Sequence, residues 1–294
     1  MRSGFVGLIG RPNVGKSTLI NSIIGKKVAI TSPKPQTTRN IIQGIYNEKG
    51  FQIVFVDTPG IHKPNHKLGD YLNRQAFYSI NDVDTILFLV DASEEIGAGD
   101  KFIIEKLKNV TKPVILVINK IDKIPKEEIL KIIDTYKDLY NFAEIVPLSA
   151  LKKDNVKSLV NVLKKYLTDE FQYYGEEDYT NKSIEFLISE IVREKVFLKT
   201  KDEVPHSITC VTEYMEHKKG KYVLNVLIIV DRDSVKRIVV GHNGSMIKSI
   251  GIDARYELEK LLGETVYLEL FVKVIKKWRD KEKYLTELGF KDFE

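Results

Sequence analysis

The sequence predicts an α/β domain with a mostly parallel sheet and helices on both faces, followed by a smaller α+β domain. In residues 1–168, short apolar runs alternate with amphipathic stretches, as in buried parallel strands separated by helices. After residue 181 the order becomes one helix, two strand-like runs around a turn, two helices and a last strand. The segment between them, 169–181, is acidic and rich in tyrosine, so we predict a linker between domains 1–168 and 182–294.

The composition narrows the class of protein. Of 294 residues, 43% are hydrophobic and 30% are charged, and no apolar run reaches the ~18 residues that a membrane-spanning helix needs. The single cysteine, Cys210, excludes a disulfide framework and a cysteine-based metal site. The first apolar run starts too early for a targeting segment, so we expect a cytoplasmic protein. Because the net charge is only +5, any contact with nucleic acid must come from locally placed basic residues.

The elements of the first domain follow from its apolar runs. The predicted strands are Phe5–Ile9, Ile41–Tyr46, Phe51–Val56, Thr85–Val90, Val114–Ile118 and Glu144–Leu148. The second and third of these are joined by a short turn and are predicted to form one antiparallel hairpin at the sheet edge. The predicted helices are Ser17–Ile24, Lys67–Ser79, Gly99–Asn109, Lys126–Tyr140 and Val156–Leu167. In such sheets ligands bind at the carboxyl ends of the strands, so functional residues are expected in the loops there.

A glycine-rich loop with the sequence GRPNVGKS, Gly10–Ser17, lies between the first predicted strand and the first predicted helix. This is the context of a phosphate-binding loop, whose backbone N–H groups surround a triphosphate at a helix N-terminus. Lys16 is predicted to reach the outer phosphates, and the Ser17 hydroxyl to hold Mg²⁺. The residues predicted to contact the nucleotide here are Gly10, Arg11, Pro12, Asn13, Val14, Gly15, Lys16, Ser17 and Thr18.

Two further loops are predicted to complete a magnesium site. In Asp57-Thr58-Pro59-Gly60, the carboxylate is predicted to hold Mg²⁺ through water, and the Gly60 N–H to meet the γ-phosphate. The loop Thr31–Asn40 has no hydrophobic period. A threonine hydroxyl there, Thr38 in preference to Thr37, is predicted to join the magnesium shell only when the γ-phosphate is present. The predicted metal ligands are therefore Ser17, Thr38 and Asp57.

Two loops are predicted to select the base. In Asn119-Lys120-Ile121-Asp122, the Asp122 carboxylate can accept hydrogen bonds from N1–H and the 2-amino group of guanine. Adenine would leave that charge unpaired, so GTP is favoured over ATP. Asn119 is expected to tie this loop to the phosphate loop, and the Lys120 stem to lie over the base. In Ser149-Ala150-Leu151, the Ala150 N–H is predicted to donate to guanine O6.

The predicted site lacks a group that orients water in some GTP-hydrolysing proteins. The residue after Gly60 is Ile61, whose side chain cannot hydrogen-bond the attacking water as a glutamine does. Hydrolysis is therefore expected to be slow, which suits a switch. The residues that these motifs predict to act in catalysis are Lys16, Thr38 and Gly60.

The second domain is predicted to have the order α-β-β-α-α-β. Its predicted helices are Ser183–Leu198, Ser234–Val240 and Ser245–Leu262, and its predicted strands are Ser207–Met215, Tyr222–Val230 and Thr265–Val274. Between two helices, Gly241-His242-Asn243-Gly244 has the G-x-x-G spacing of a KH domain, whose loop clamps the backbone of about four nucleotides of single-stranded RNA. The predicted RNA-binding residues here are Lys236, Arg237, Gly241, His242, Asn243, Gly244, Ser245 and Lys248.

A basic segment, Lys273–Lys283, follows the last predicted strand and is expected to form a basic C-terminal helix. Lys276, Lys277 and Arg279 are predicted to add charge to an RNA contact, and Trp278 to stack on a base. Two alternatives stay open. The same charges suit an anionic membrane surface, and Trp278 can instead pack into the core of the domain.

Together these motifs resemble the Era family of bacterial GTPases over essentially the whole chain. The residues that carry the resemblance are Gly10–Ser17, Gln36-Thr37-Thr38-Arg39, Asp57–Gly60, Asn119–Asp122, Ser149-Ala150 and Val240–Ile247. The resemblance implies a P-loop GTPase domain and a type II-like KH domain. It also implies binding of small-subunit ribosomal RNA near its 3′ end, a role in ribosome maturation, and peripheral contact with the inner face of the cell membrane. His242 departs from the family, in which this loop position is more often basic.

The resemblance also implies a K⁺ ion beside the phosphates, bound with the help of Asn13, and this adds Asn13 to the predicted catalytic residues. We expect a monomer that uses Mg²⁺ and binds GTP and GDP. The alternative is a nucleotide-regulated protein- or membrane-interaction GTPase whose KH fold does not bind RNA. The intact G-x-x-G spacing and the single set of GTP motifs disfavour that alternative.

Overall fold

The structure is a computed structural model of the chain. It describes all residues except 33, 35–36, 61–66, 202–203 and 291–294, and for residues 77–80 it describes the backbone alone. The chain divides into two compact units, Met1–Pro64 with Leu72–Asn181 and Asn65–Tyr71 with Lys182–Glu294. Within the described ranges, no helix has the length and apolar character needed to cross a membrane.

The first part of the chain forms a six-stranded sheet with helices between the strands. The strands are β1 (Arg2–Ile9), β2 (Ile42–Glu48), β3 (Phe51–Asp57), β4 (Thr85–Asp91), β5 (Val114–Asn119) and β6 (Glu144–Pro147). The helices are α1 (Lys16–Ile24), α2 (Lys67–Asn81), α3 (Ala98–Leu107), α4 (Lys126–Lys137) and α5 (Val156–Leu163). The strand order is β2-β3-β1-β4-β5-β6, and only the β2–β3 pair is antiparallel. The predicted α/β fold and its edge hairpin are confirmed.

Burial explains the apolar runs of the central strands. Every residue of β4 and of β5 is buried, because helices cover both faces of the sheet and leave no solvent side for polar residues. Phe88 of β4 and Leu116 of β5 share one core cluster with Ile103 of α3. The parallel strands therefore end together at one edge of the sheet, where the predicted motifs follow them.

The segment predicted to be a linker, residues 169–181, lies within the first unit. Its backbone pairs with β1 through Asp169 and Ser3, and the N–H of Tyr173 donates to Gln52 Oε1 of β3 at 2.8 Å. These bonds satisfy backbone groups that a free linker would leave to water. The first unit thus extends beyond the predicted boundary at residue 168, and the chain passes to the second unit after Asn181.

The second unit contains a three-stranded sheet with helices packed on it. Its elements are α6 (Ile184–Lys199), β7 (Ile208–Lys218), β8 (Lys221–Val230), α7 (Asp233–Val240), α8 (Ser245–Leu262), β9 (Thr265–Val274) and a short α9 (Glu282–Glu287). α6 begins after Ser183, whose Oγ accepts the N–H of Phe186 at 3.3 Å. β7 and β8 form an antiparallel hairpin, and β9 runs parallel to β8. This element order agrees with the prediction.

The core of this unit lies on one face of its sheet. Leu224, Val226 and Ile228 alternate along β8, are fully buried, and share one cluster with Ile188 of α6 and Ile250 of α8. Alternation of this kind places one side of a strand on the core and leaves the other side more accessible.

The end of the chain differs from the prediction. In place of a basic helix, a single 3₁₀ turn at Trp278–Asp280 precedes the short α9. The Trp278 side chain is fully buried, and its Nε1–H donates to the carbonyl of Ser207 at 3.0 Å. Of the two roles left open for Trp278, packing into the core is therefore confirmed and stacking on a base is wrong, because the indole fills the core and its one donor is already used. Arg279 is also engaged, since its guanidinium donates to Asp231 Oδ2 at 2.7 Å.

Candidate nucleotide and nucleic-acid sites

The phosphate loop connects β1 to α1 in a conformation that requires glycine at Gly15. Its φ of +102° lies in the left-handed region, and a Cβ at this position would overlap the Asn119 amide. α1 then begins at Lys16, so the N-terminal N–H groups of the helix face the loop. This is the geometry in which a helix N-terminus binds a phosphate group.

Lys16 is buried inside this loop. Its Nζ donates to the carbonyls of Gly10 and Arg11, both at 3.1 Å. Burial lowers the pKa of Lys16 to about 8, although the nearby Asp57 carboxylate opposes this shift. The ammonium thus lies among backbone carbonyls at the place where a triphosphate would supply negative charge.

The lowered pKa of Lys16 should make the binding of the predicted nucleotide, GTP, sensitive to pH. Bound phosphates favour the charged ammonium, so GTP binding at about pH 8.5 should take up a fraction of a proton, and the affinity should fall as the pH rises above 8. Calorimetric titrations in two buffers with different ionisation enthalpies measure this uptake. At about pH 7, where Lys16 is mostly charged before binding, the uptake should be much smaller. Heats that show no buffer dependence at the higher pH would contradict the prediction.

The three predicted metal ligands lie together. Ser17 Oγ donates to Asp57 Oδ2 at 2.7 Å and lies 2.9 Å from Thr38 Oγ1, and Thr38 Oγ1 donates to Asp57 Oδ2 at 3.3 Å. Asp57 is fully buried, and among the described residues its Oδ1 has no hydrogen-bond partner. Burial raises the pKa of Asp57 against the opposing effects of Lys16, Ser17 and Thr38. Hydroxyl and carboxylate oxygens in this arrangement fit Mg²⁺, which prefers oxygen ligands.

The loop after β3 lies against the phosphate loop. Gly60 lies beside Pro12, so the two loops meet at Gly60 and a Cβ there would overlap the Pro12 backbone. Thr58 and Pro59 are buried, and Thr58 Oγ1 donates to the carbonyl of Leu8 at 2.6 Å, which attaches this loop to β1. Ile61, predicted to leave the attacking water without a side-chain partner, lies outside the described residues.

Asn119 joins three loops at the end of the sheet. Its Nδ2 donates to the carbonyl of Val14 at 2.8 Å, which confirms the expected tie to the phosphate loop. Its Oδ1 accepts the N–H of Lys120 at 2.8 Å and the N–H of Ala150 at 3.0 Å. The Ala150 N–H, predicted to donate to guanine O6, is therefore bonded to Asn119 in this structure. One amide thus positions the phosphate loop relative to both base-selecting loops.

Lys120 bridges the base and phosphate loops through its ammonium. Its Nζ donates to the carbonyl of Asn13 at 2.7 Å and to Asp91 Oδ2 at 2.5 Å. Burial opposes the charge of Asp91, but hydrogen bonds from Lys120 and Ser93 outweigh it and lower the pKa of Asp91. Asp91 was not identified in the sequence analysis. It could have been, because Asp91 lies at the carboxyl end of β4, where ligands are expected to bind.

Three more of the residues predicted to bind the nucleotide are Ser149, Leu151 and Thr18. Ser149 Oγ donates to Asp122 Oδ1 at 2.5 Å, which orients the carboxylate predicted to read guanine. Leu151 is 71% exposed, so its side chain points into solvent. Thr18 is half-buried on α1.

The side chain of Arg11, in the phosphate loop, pairs with two carboxylates. Its Nε donates to Asp100 at 2.9 Å, and its Nη2 lies 3.0 Å from Glu94. Asp100 is fully buried at the start of α3, where it also accepts the N–H of Gly97 at 2.9 Å. The Arg11 side chain therefore anchors the phosphate loop to α3.

The predicted G-x-x-G loop forms a tight turn between α7 and α8. Gly241 has a φ of +74°, and a Cβ there would lie 2.7 Å from the backbone nitrogen of Met246, so only glycine fits. His242 and Asn243 are exposed at the tip, and Asn243 adopts the left-handed conformation with a φ of +48°. α8 starts directly after the loop at Ser245, so the N-terminus of α8 lies next to the exposed tip of the loop. This arrangement suits a sugar-phosphate backbone.

A groove of about 360 Å³ lies between α8 and β9. Its floor is apolar and includes Ile247, Leu268 and Leu270, and its rim carries Lys248 and Arg255. Bases fit an apolar floor, whereas phosphates fit a basic rim. Sequence reasoning found Lys248 but not the other lining residues, because it placed no side chains of β9 opposite α8.

The predicted basic residues lie at two places in this unit. Lys236 and Arg237 are exposed on α7, immediately before the loop. Lys276 and Lys277 are exposed in the turn after β9. All four therefore have side chains accessible to a polyanion.

Comparisons with known proteins match a different family to each of the two units. Residues 5–120 match the family described as 50S ribosome-binding GTPase, and residues 203–279 match the KH domain family. The chain is 48% identical to GTPase Era of Clostridium kluyveri over 292 residues, which covers 99% of this chain and 100% of that relative.

Two solved structures are similar over the whole length. Each has a TM-score of 0.95 and 42% sequence identity, and covers 99% of both chains. One is Era in complex with MgGDPNP and nucleotides 1506–1542 of 16S ribosomal RNA. The other is a variant of Era from Aquifex aeolicus bound to GDP·AlF4⁻.

Proposed function

The chain belongs to the Era family of GTPases, and we propose that it binds and hydrolyses GTP, binds small-subunit ribosomal RNA through its KH domain, and acts in small-subunit assembly. One observation carries the GTPase part: Asn119 bonds the phosphate loop at Val14 and the base-selecting loop at Ala150. The loop that would bind the phosphates and the loops that would bind the base are therefore held together by one side chain. The RNA part is supported by the glycine turn and the groove beside it.

The residues of the first unit have distinct tasks in this function. Asp122 would accept hydrogen bonds from guanine, and Lys16 would contact the outer phosphates. Ser17 and Thr38 would bind Mg²⁺ directly, with Asp57 holding it through water. Bound Mg²⁺ neutralises charge on the β- and γ-phosphates. Since Thr38 belongs to the loop before β2, its contact with Asp57 links the conformation of that loop to the metal site.

The proposed function also includes a K⁺ ion beside the phosphates, bound with the help of Asn13. Asn13 is exposed at the tip of the phosphate loop with a φ of +65°, and Lys120 holds its carbonyl. The side chain is thus presented outward by a fixed backbone, as an ion ligand beside the phosphates would need to be. The peripheral membrane contact and the monomeric state stay predictions.

The RNA-binding part is tested by charge at the tip of the glycine turn. Replacing both His242 and Asn243 with Asp should lower the affinity for the segment equivalent to nucleotides 1506–1542 by at least about tenfold, because two carboxylates would face phosphates. Asp tolerates the left-handed conformation at residue 243, so the turn should persist. Filter binding at fixed salt measures the loss.

A neutral variant of the same turn provides the control. His242→Gln with Asn243→Gly keeps the backbone geometry without adding charge, so its affinity should stay within about threefold of the wild type. If the Asp variant binds as well as the wild type, the alternative function, a GTPase whose KH fold contacts protein or membrane, gains support. Filter binding with a GTP analogue and with GDP then shows whether the nucleotide state changes RNA affinity, as a switch requires.

A further inference from the structure

Helix α8 separates two concave sites on the second unit. The first is the groove beside β9. The second, of about 600 Å³, is lined by Lys195 of α6 and by the C-terminal half of α8, and we call it the α6–α8 site. Ile252 and Arg255 line both concavities. The two sites therefore meet along one ridge of α8.

This ridge exposes apolar and aromatic surface. Tyr256 is 64% exposed and Ile252 is 53% exposed, next to a groove already suited to bases. Lys260 Nζ lies 4.1 Å from the centre of the Tyr256 ring. Lys260 covers one face of the Tyr256 ring, so a base can stack on the exposed part of the ring while the ammonium approaches the RNA backbone.

The acidic residues around the α6–α8 site are neutralised by neighbouring cations. Asp253 pairs with Lys199 at 2.7 Å, and Glu257 pairs with Lys195. The third acid in the lining, Glu259, lies 3.9 Å from the Arg255 guanidinium. Among the described residues, Lys260 has no carboxylate within ion-pair distance. An RNA phosphate in this site would therefore face carboxylates that already pair with cations, together with the Lys260 ammonium. Electrostatic repulsion therefore does not prevent RNA from binding here.

We propose that single-stranded RNA leaving the groove crosses α8 at Ile252 and Arg255 and stacks one base on Tyr256 in the α6–α8 site. This inference rests on the proposed RNA-binding function and extends it beyond the G-x-x-G groove. RNA is the occupant that the continuity of the two sites favours, because a strand already held in the groove needs to pass only one helix, about 10–12 Å across.

The proposal is tested with RNAs of two lengths. The long RNA is the segment equivalent to nucleotides 1506–1542, and the short RNA is the smallest fragment of it that the wild-type protein still binds. Tyr256→Ala should weaken binding of the long RNA about tenfold and change the short RNA less than about twofold, because only the long strand reaches the ring. Tyr256→Phe keeps the aromatic face and should bind both RNAs like the wild type.

Tyr214→Ala serves as the matched control. Tyr214 is 44% exposed on β7 and lines neither concavity, so its loss should leave both affinities unchanged. An unchanged affinity of Tyr256→Ala for the long RNA would overturn the proposal and favour a protein as occupant. Equal losses for both RNAs would overturn it too, since Tyr256 would then act on the groove. If the wild type does not bind the long RNA, the proposed function itself fails, which is a distinguishable result.

Discussion

Replacing Asp122 with Asn is expected to lower the affinity for GTP by about 10²- to 10³-fold. The carboxylate is predicted to accept hydrogen bonds from two donors of guanine, N1–H and the 2-amino group. An amide presents one oxygen and one NH₂ group, so at least one guanine donor would face another donor. Ser149 holds the Asp122 side chain in place, so the new amide would occupy the same position rather than turn away.

Competition against a fluorescent guanine nucleotide measures this change. Xanthine carries a carbonyl in place of the 2-amino group, so the Asp122→Asn protein should bind xanthosine triphosphate better than the wild type does, relative to GTP. Asp154→Asn makes the same charge change at an exposed residue beyond Ser149 and should leave GTP affinity unchanged. Equal losses for the two triphosphates would show that Asp122 supports the loop and does not read the base.

Replacing Trp278 with Ala is expected to destabilise the second unit by about 3–5 kcal/mol. The indole is fully buried, stacks near Phe290 with ring centres 6.1 Å apart, and bonds the carbonyl of Ser207. Truncation would leave a cavity and an unsatisfied carbonyl. Trp278→Phe keeps most of the buried area and loses the hydrogen bond, so a cost of about 1–3 kcal/mol is expected.

Urea unfolding followed by far-ultraviolet circular dichroism measures both variants. Lys276→Ala, at an exposed residue of the same segment, should change the free energy of unfolding by less than about 0.5 kcal/mol. If Trp278→Ala keeps wild-type stability and instead loses affinity for RNA, the indole serves RNA by stacking and its buried role is refuted.

Most of the nucleotide site could be predicted because its groups lie at strand ends. Asp57 and Asn119 end strands of the sheet, and Ser17 lies at the start of α1, after the loop that follows β1; the ends of parallel strands meet at one edge. Thr38 was predicted as a metal ligand from the motif order and the chemistry that Mg²⁺ requires, and the structure places its hydroxyl beside Asp57. Local pattern and loop position together were sufficient for these residues.

Two side chains of the first unit could not be assigned in this way. Arg11 lies within the phosphate loop, yet its partners Asp100 and Glu94 are far away in sequence. Asp91 holds Lys120, and no spacing rule links these two residues. Such pairings depend on which loops become neighbours when the sheet forms.

By itself, the sequence determined the strand and helix order, the phosphate and base loops, and the glycine turn of the KH domain. These features depend on hydrophobic period and on glycine at fixed spacing, which are local properties. Only the tertiary structure decided that residues 169–181 belong to the first unit and that Trp278 is a core residue. The reason is physical: burial and hydrogen-bond satisfaction depend on what packs against a segment. A tyrosine-rich or lysine-rich stretch looks the same in sequence whether it faces solvent or a sheet.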